Sequence, residues 1–111
     1  SYLSFIGSAK VGWHLKSKLS PGTRCALEHG GAAPVVVDQD VALEKVVPAL
    51  AKGGFYHAGQ VCVSVQRVFV HHGIARKLAM QLSETAQKLK VGNPLDPTTE
   101  VGPLILPKEA D

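Results

Sequence analysis

The sequence predicts an α/β fold, and three observations carry that prediction. Apolar residues recur at helical spacing in three segments, around Val11, Leu43 and Ile74. Short β-branched runs lie between them, at Pro34-Val35-Val36-Val37 and from Val65 to Val70. Turn residues separate the segments, at Gly7-Ser8, Ser20-Pro21-Gly22 and Gly30-Gly31. Strands alternating with helices in this way build mixed or parallel sheets covered by helices.

Tyr2-Leu3-Ser4-Phe5-Ile6 reads as a half-buried strand over 2–6, ended by Gly7-Ser8. Ser8 is placed to cap a helix over 9–19, with Val11, Leu15 and Leu19 as its apolar stripe. Ser20-Pro21-Gly22 stops that helix. Residues 24–28 alternate as a second strand, with Cys25 and Leu27 on one side. The continuous run from Pro34 to Val37 predicts a buried strand in a mixed or parallel sheet. Asp40 is placed to cap a helix over 41–56, whose apolar face is Leu43, Val46, Val47, Leu50 and Ala51. Pro48 removes one helical hydrogen bond and crowds the turn before it, so it predicts a kink or a helix start nearer Pro48. Val65 to Val70 forms the next strand. A third helix is expected over 73–90, with Ile74, Leu78, Leu82, Ala86 and Leu89 on one face. The loop Gly92-Asn93-Pro94-Leu95-Asp96-Pro97 follows. The double glycine after Glu28 marks the domain boundary, dividing the chain into 1–30 and 31–111.

The composition excludes several classes of function. Hydrophobic residues make up 45% and charged residues 19% of 111 positions, which fits a packed domain and not a disordered one. The formal charge of +3 is mild, and Lys10, Lys16 and Lys18 read as a solvated helix face. No aromatic residues interleave with basic ones as single-strand binders require, so no nucleic-acid partner is expected. No apolar run approaches the roughly 18 residues of a membrane span, and no membrane partner is expected. Cys25 and Cys62 do not make a disulfide framework, and no signal peptide is visible, which points to the cytoplasm. The five histidines form no metal pattern; His71 and His72 on a strand would face opposite ways. Ser1 opens directly into a strand and the chain stops in a proline-containing loop, so it reads as a piece of something longer.

Three places offer chemistry. Cys62, in Gly59-Gln60-Val61-Cys62, is either a small buried hydrophobe or a nucleophile. A helix-to-strand turn there leaves its backbone N–H free for an oxyanion, and the small residues Ala58-Gly59 allow close approach of a ligand. Glu28 stands at a strand end before two glycines. It is either a surface residue or, if buried, a general base with a raised pKa. Phe5-Ile6-Gly7-Ser8 is a strand-to-helix turn whose helix N-terminus suits a phosphate, although it lacks the full glycine-rich dinucleotide fingerprint.

Taken together, Phe5-Ile6-Gly7-Ser8, Glu28-His29-Gly30-Gly31 and Gly59-Gln60-Val61-Cys62 resemble the aldehyde dehydrogenase superfamily. Its members carry Phe-Thr-Gly-Ser, Glu-Leu-Gly-Gly and Gly-Gln-x-Cys segments in this order. The thirty-four positions from Glu28 to Cys62 are similar to the family's spacing. The run from Val91 to Ile105 resembles the family's downstream loop, so the likeness covers essentially the whole chain. The expected fold is therefore aldehyde dehydrogenase-like: the end of a Rossmann-type NAD(P)-binding domain in 1–30, then the start of the α/β catalytic domain in 31–111.

The resemblance implies oxidation of a small-molecule aldehyde to a carboxylic acid with NAD or NADP. Cys62 is then the nucleophile and Glu28 the base that activates the hydrolytic water. Gly7 and Ser8 meet the cofactor pyrophosphate, Gly30 lines the nicotinamide pocket, and no metal is needed. An asparagine upstream of this chain would complete the oxyanion site. Relatives are usually dimers or tetramers. His29 replaces the usual leucine and Ile6 the usual threonine, which changes polarity near the cofactor. Three alternatives stand beside this reading: a protein of the same fold that has lost turnover, an enzyme passing the acyl group to coenzyme A, and a cysteine hydrolase using Cys62 with His57 or His29. A glutamate at position 28 favours hydrolysis over transfer to coenzyme A. The isolated chain is expected to be inactive.

Overall fold

The computed structural model describes residues 1–110. The chain divides into two compact units, Ser1–Gly31 and the remainder from Ala32 onward. Strands and helices follow one another as the sequence predicts: strand, helix, strand, then strand, helix, strand, helix.

The first unit is a βαβ element of β1 (Tyr2–Gly7), α1 (Ala9–Ser17) and β2 (Arg24–His29). The two strands pair in parallel over six positions, from Tyr2↔Arg24 to Gly7↔His29. Ser8 caps α1 as expected: its backbone is extended and its Oγ accepts the Val11 N–H at 3.4 Å. Of the predicted stripe, Leu15 and Leu19 are half-buried, but Val11 is 45% exposed and Gly12 is the buried residue of α1. The cause is bulk beneath the helix, since a Cβ on Gly12 would come within 2.8 Å of the His29 ring and 3.3 Å of Phe5. The helix approaches the strands where it has no side chain. It ends two residues early because the Lys18 and Leu19 N–H groups turn back to the Leu15 and Lys16 carbonyls, three residues behind. Thr23 N–H then bonds Ser20 O at 3.1 Å, with Gly22 at φ +79°, a type II turn with Pro21 leading.

The second unit contains β3 (Pro34–Val37), α2 (Leu43–Phe55), β4 (Arg67–Val70) and α3 (His72–Gln87), with 3₁₀ turns at Tyr56–Gly59 and Pro107–Ala110. β3 and β4 are parallel, with Val35↔Val68 and Val37↔Val70 on the inner face. Val37, Leu43, Val47, Leu50 and Leu78 form the core, with Val46, Ile74 and Leu82 packed against it. Both long helices thus bury the faces that their periodicity predicts.

Within this chain α2 and α3 cover one face of β3, and Val36, 81% exposed, lies on the other beside its register partner Phe69. Three expectations change. Asp40 does not cap α2. The helix starts at Leu43 with Ala42 as its N-cap, the register that buries Leu43 and Val47 together. Pro48 does not delay the helix, which begins five residues before it; the buried face outweighs the one hydrogen bond that proline removes. His71 and His72 do not lie on a strand. His71 is the N-cap of α3, its Nδ1 accepts the Gly73 N–H at 3.2 Å, and its ring lies 4.4 Å from that of His72.

Candidate functional site

In the first unit, parallel pairing brings the carboxyl ends of β1 and β2 to one edge. Gly7 and Ser8 leave β1 there; Glu28, His29 and Gly30 stand at the end of β2, with Ile6 opposite Glu28 and Gly7 opposite His29. Four of the five predicted site residues therefore share this edge. α1 begins at the same edge with no acidic residue in its first turn. Among the described residues no acceptor meets the N–H groups of Ala9 and Lys10. A free helix N-terminus at the carboxyl edge of parallel strands is the arrangement that receives phosphate groups.

Strand alternation sends Glu28 and His29 to opposite faces. Glu28 is exposed beside Ile6, itself 78% exposed. His29 turns toward α1, where its ring lies 5.4 Å from Trp13 and against Gly12. Its Nε2 is buried and has no partner among the described residues. The imidazole that replaces the usual leucine thus packs under the helix and not beside the carboxylate. Gly30 continues the chain at φ +72°, a conformation that favours glycine.

Cys62 belongs to the second unit. α2 ends at Phe55, and three consecutive residues then adopt left-handed backbone: His57 (φ 48°), Ala58 (φ 56°) and Gly59 (φ +73°). Each non-glycine residue in that region costs roughly 1–2 kcal/mol. Gln60 follows, its N–H bonded to His57 O at 3.2 Å. A tight turn then spans Val61 to Ser64, closed by Ser64 N–H to Val61 O at 2.9 Å, with Cys62 at its second position. The cysteine is exposed, and among the described residues its backbone N–H has no acceptor. Val65 N–H bonds Gly53 O at 3.0 Å, tying the far side of the turn to α2. The approach is close, since a Cβ on Gly53 would meet Val65 Cγ2 at 2.9 Å. Because Val65 and Gln66 bond outward to Gly53 and Ala33, β4 begins only at Arg67 and not at Val65.

Two features of this loop left no signal in the residue types. Nothing in the types of His57 and Ala58 demands left-handed backbone; only Gly59 signals it. Gln60 holds more than its neighbours. Its Oε1 accepts the Ile105 N–H at 2.9 Å, forty-five residues away, and its Nε2 donates to His57 O at 3.3 Å. Ser64 lies at 3% exposure, and among the described residues its Oγ has no partner. Among the described residues no cluster of metal-ligating side chains occurs, and no helix is long and apolar enough to cross a membrane.

The chain pairs its strands in parallel, with a helix start suited to phosphate in one unit and an exposed cysteine on a tight turn in the other. Comparison with known proteins places it more narrowly. The model of the aldehyde dehydrogenase family matches residues 1–111, and the chain belongs to that family. It is 47% identical over 109 residues to a lactaldehyde dehydrogenase of Methanocaldococcus jannaschii, covering 98% of this chain and 23% of the relative. It is 41% identical to a 3-sulfolactaldehyde dehydrogenase of Priestia aryabhattai, covering 97% of this chain and 22% of that protein. Among solved structures it superposes on a glyceraldehyde-3-phosphate dehydrogenase of M. jannaschii complexed with NADP, with TM-score 0.84, 47% identity, and 93% and 22% of the two chains covered. The corresponding values for betaine aldehyde dehydrogenase of Staphylococcus aureus in complex with NAD+ are 0.88, 36%, 96% and 22%. The chain thus spans less than a quarter of the length of these relatives, and its fold is an aldehyde dehydrogenase-like α/β segment.

Proposed function

We propose that this chain supplies the nucleophile and the general base of an NAD(P)-dependent aldehyde dehydrogenase that oxidises an aldehyde to a carboxylic acid. Residues 1–30 would be the end of its cofactor domain and residues 31–111 the start of its catalytic domain. The observation that carries the reading is Cys62: an exposed thiol at the second position of a tight turn, with its own backbone N–H free of any acceptor among the described residues. That N–H is available to an oxyanion formed at a carbon attached to the sulfur, where a well-aimed donor contributes roughly 3–4 kcal/mol.

The first unit fits a dinucleotide pyrophosphate. Gly7 permits close approach, and the N–H groups of Ala9 and Lys10, which meet no acceptor among the described residues, lie at that edge. Ser8 adds a hydroxyl there, and Gly30 would line the nicotinamide pocket. A nicotinamide held there would supply the hydride acceptor. On the protein side, the Cys62 thiolate attacks the aldehyde carbon, and the resulting oxyanion rests on the Cys62 N–H. Loss of hydride from that carbon leaves an acyl group on the sulfur as a thioester. Glu28 takes a proton from water, whose oxygen attacks the acyl carbon. The carbon–sulfur bond breaks, releasing the acid and restoring the Cys62 thiolate. Glu28 is exposed in this chain, so its assignment as the base rests on its place in the Glu28-His29-Gly30-Gly31 segment and not on burial. A cytoplasmic homodimer or homotetramer acting on a small aldehyde fits the same reading.

The test is NAD(P)H formation by the full-length protein across an aldehyde panel. Cys62→Ala is expected to abolish oxidation. Glu28→Gln is expected to slow thioester hydrolysis and leave a burst of about one equivalent per site. Steady turnover by Cys62→Ala would sink the proposal.

A further inference from the structure

The loop that carries Cys62 departs from α2 through backbone of high energy, and one side chain holds it. His57, Ala58 and Gly59 are all left-handed, although two of them are not glycine. Such strain persists only where surrounding contacts over-determine it. The contacts come from Gln60, which makes three hydrogen bonds. Its backbone N–H and its Nε2 both reach His57 O, at 3.2 and 3.3 Å, closing the left-handed turn. Its Oε1 accepts the Ile105 N–H at 2.9 Å, binding the turn to a loop forty-five residues downstream. Pro94 and Pro103 line the cleft between these two stretches. Cys62 follows two residues later, on the turn that Ser64 N–H closes. It has no packing of its own to fix it, because it is exposed.

We infer that Gln60 is a positioning residue for Cys62, joining the left-handed turn to the Ile105 loop so that the thiol and its backbone N–H are presented in one geometry. The inference rests on the reading of Cys62 as the nucleophile. Gln60 acts through backbone and touches no reacting atom. Its loss leaves cofactor contacts intact and lets the Cys62 turn sample orientations in which sulfur and N–H no longer converge on one carbonyl. A misplacement of about 1 Å costs as much as a hundredfold in rate.

The experiment is single-turnover NAD(P)H formation by the full-length protein, held in excess over aldehyde. Gln60→Leu removes both side-chain bonds at similar volume. It is expected to slow the single turnover at least about tenfold, with the KM for cofactor within about twofold of native. Gln60→Glu keeps an acceptor for the Ile105 N–H and is expected to recover part of the rate. Ile105→Pro deletes the donor from the other side without altering the Cys62 turn. It is expected to slow the reaction as well, and the double variant Gln60→Leu/Ile105→Pro to be no slower than Gln60→Leu alone. Should Gln60→Leu fail to fold, Gln60→Glu and Ile105→Pro carry the test. Single turnovers at the native rate in Gln60→Leu, or in Ile105→Pro, overturn the inference while Cys62→Ala remains dead. Turnover by Cys62→Ala overturns the nucleophile reading itself, and the inference with it.

Discussion

Gly59 shows how much one backbone angle decides. At φ +73° it sits where side chains are strained, and a Cβ there would stand 3.2 Å from Gly54 O. Gly59→Ala is expected to destabilise the chain by about 1–2 kcal/mol in urea unfolding. Asp96 offers a second test at this scale. Its Oδ1 accepts both the Oγ and the N–H of Thr98, at 2.6 and 2.8 Å, and Lys90 lies 3.5 Å from its Oδ2. The Thr98 hydroxyl above all, then the Thr98 N–H, hold the Asp96 carboxyl below its ordinary value. A carboxylate whose pKa is depressed by folding adds stability above its unfolded pKa. That stability is lost as pH falls through the lower, folded value. The loop is therefore expected to loosen only in acid, and Thr98→Val to move the Asp96 titration upward by NMR. An unmoved titration would contradict this. Cys62, Glu28, Gly7, Ser8 and Gly30 were legible as candidates because residue type and order are written in the chain. The partners of Gln60 were not, since a contact across forty-five residues leaves no local periodicity.

Helices were the most legible elements, because their buried faces repeat at a fixed interval. α2 and α3 bury Leu43, Val47, Leu50 and Leu78 as their patterns require. Their starts were less legible. Asp40 has the chemistry of a cap and is not one, whereas His71 caps α3 through Nδ1. Packing chose both starts: burial of Leu43 set one, and the end of β4 at Val70 set the other. His71→Ala is expected to destabilise α3 by about 1 kcal/mol in thermal unfolding, and His71→Asn to restore most of it. Equal losses in both variants would remove the cap from the account. In α1 the apolar stripe gave the right helix and the wrong contact, because a glycine and not a leucine allows the closest approach to Phe5 and His29.

At the scale of the molecule, the α/β order was readable, but the extent of burial was not. A run of valines does not reveal whether one face or two will be covered. Val36 and Phe69 are paired in register on an uncovered face, and both are large and apolar. Neighbouring exposed apolar residues promote self-association. Replacing both with threonine is expected to reduce association of the 111-residue chain in sedimentation experiments while leaving its helical content unchanged. A chain equally associated after the change would place the sticky surface elsewhere.

The in-register pairing of β1 with β2 has a consequence for how this protein can vary. Strand faces obey parity. A slip of β2 by one residue along β1 would exchange the places of Glu28 and His29, sending the carboxylate beneath α1 and the imidazole to the open side. The turn from Ser20 to Thr23, closed by a single hydrogen bond, sets the count. Descendants of this sequence are free to change the letters of that turn, but one added or deleted residue that passed into the strand would turn Glu28 from the open side without altering it.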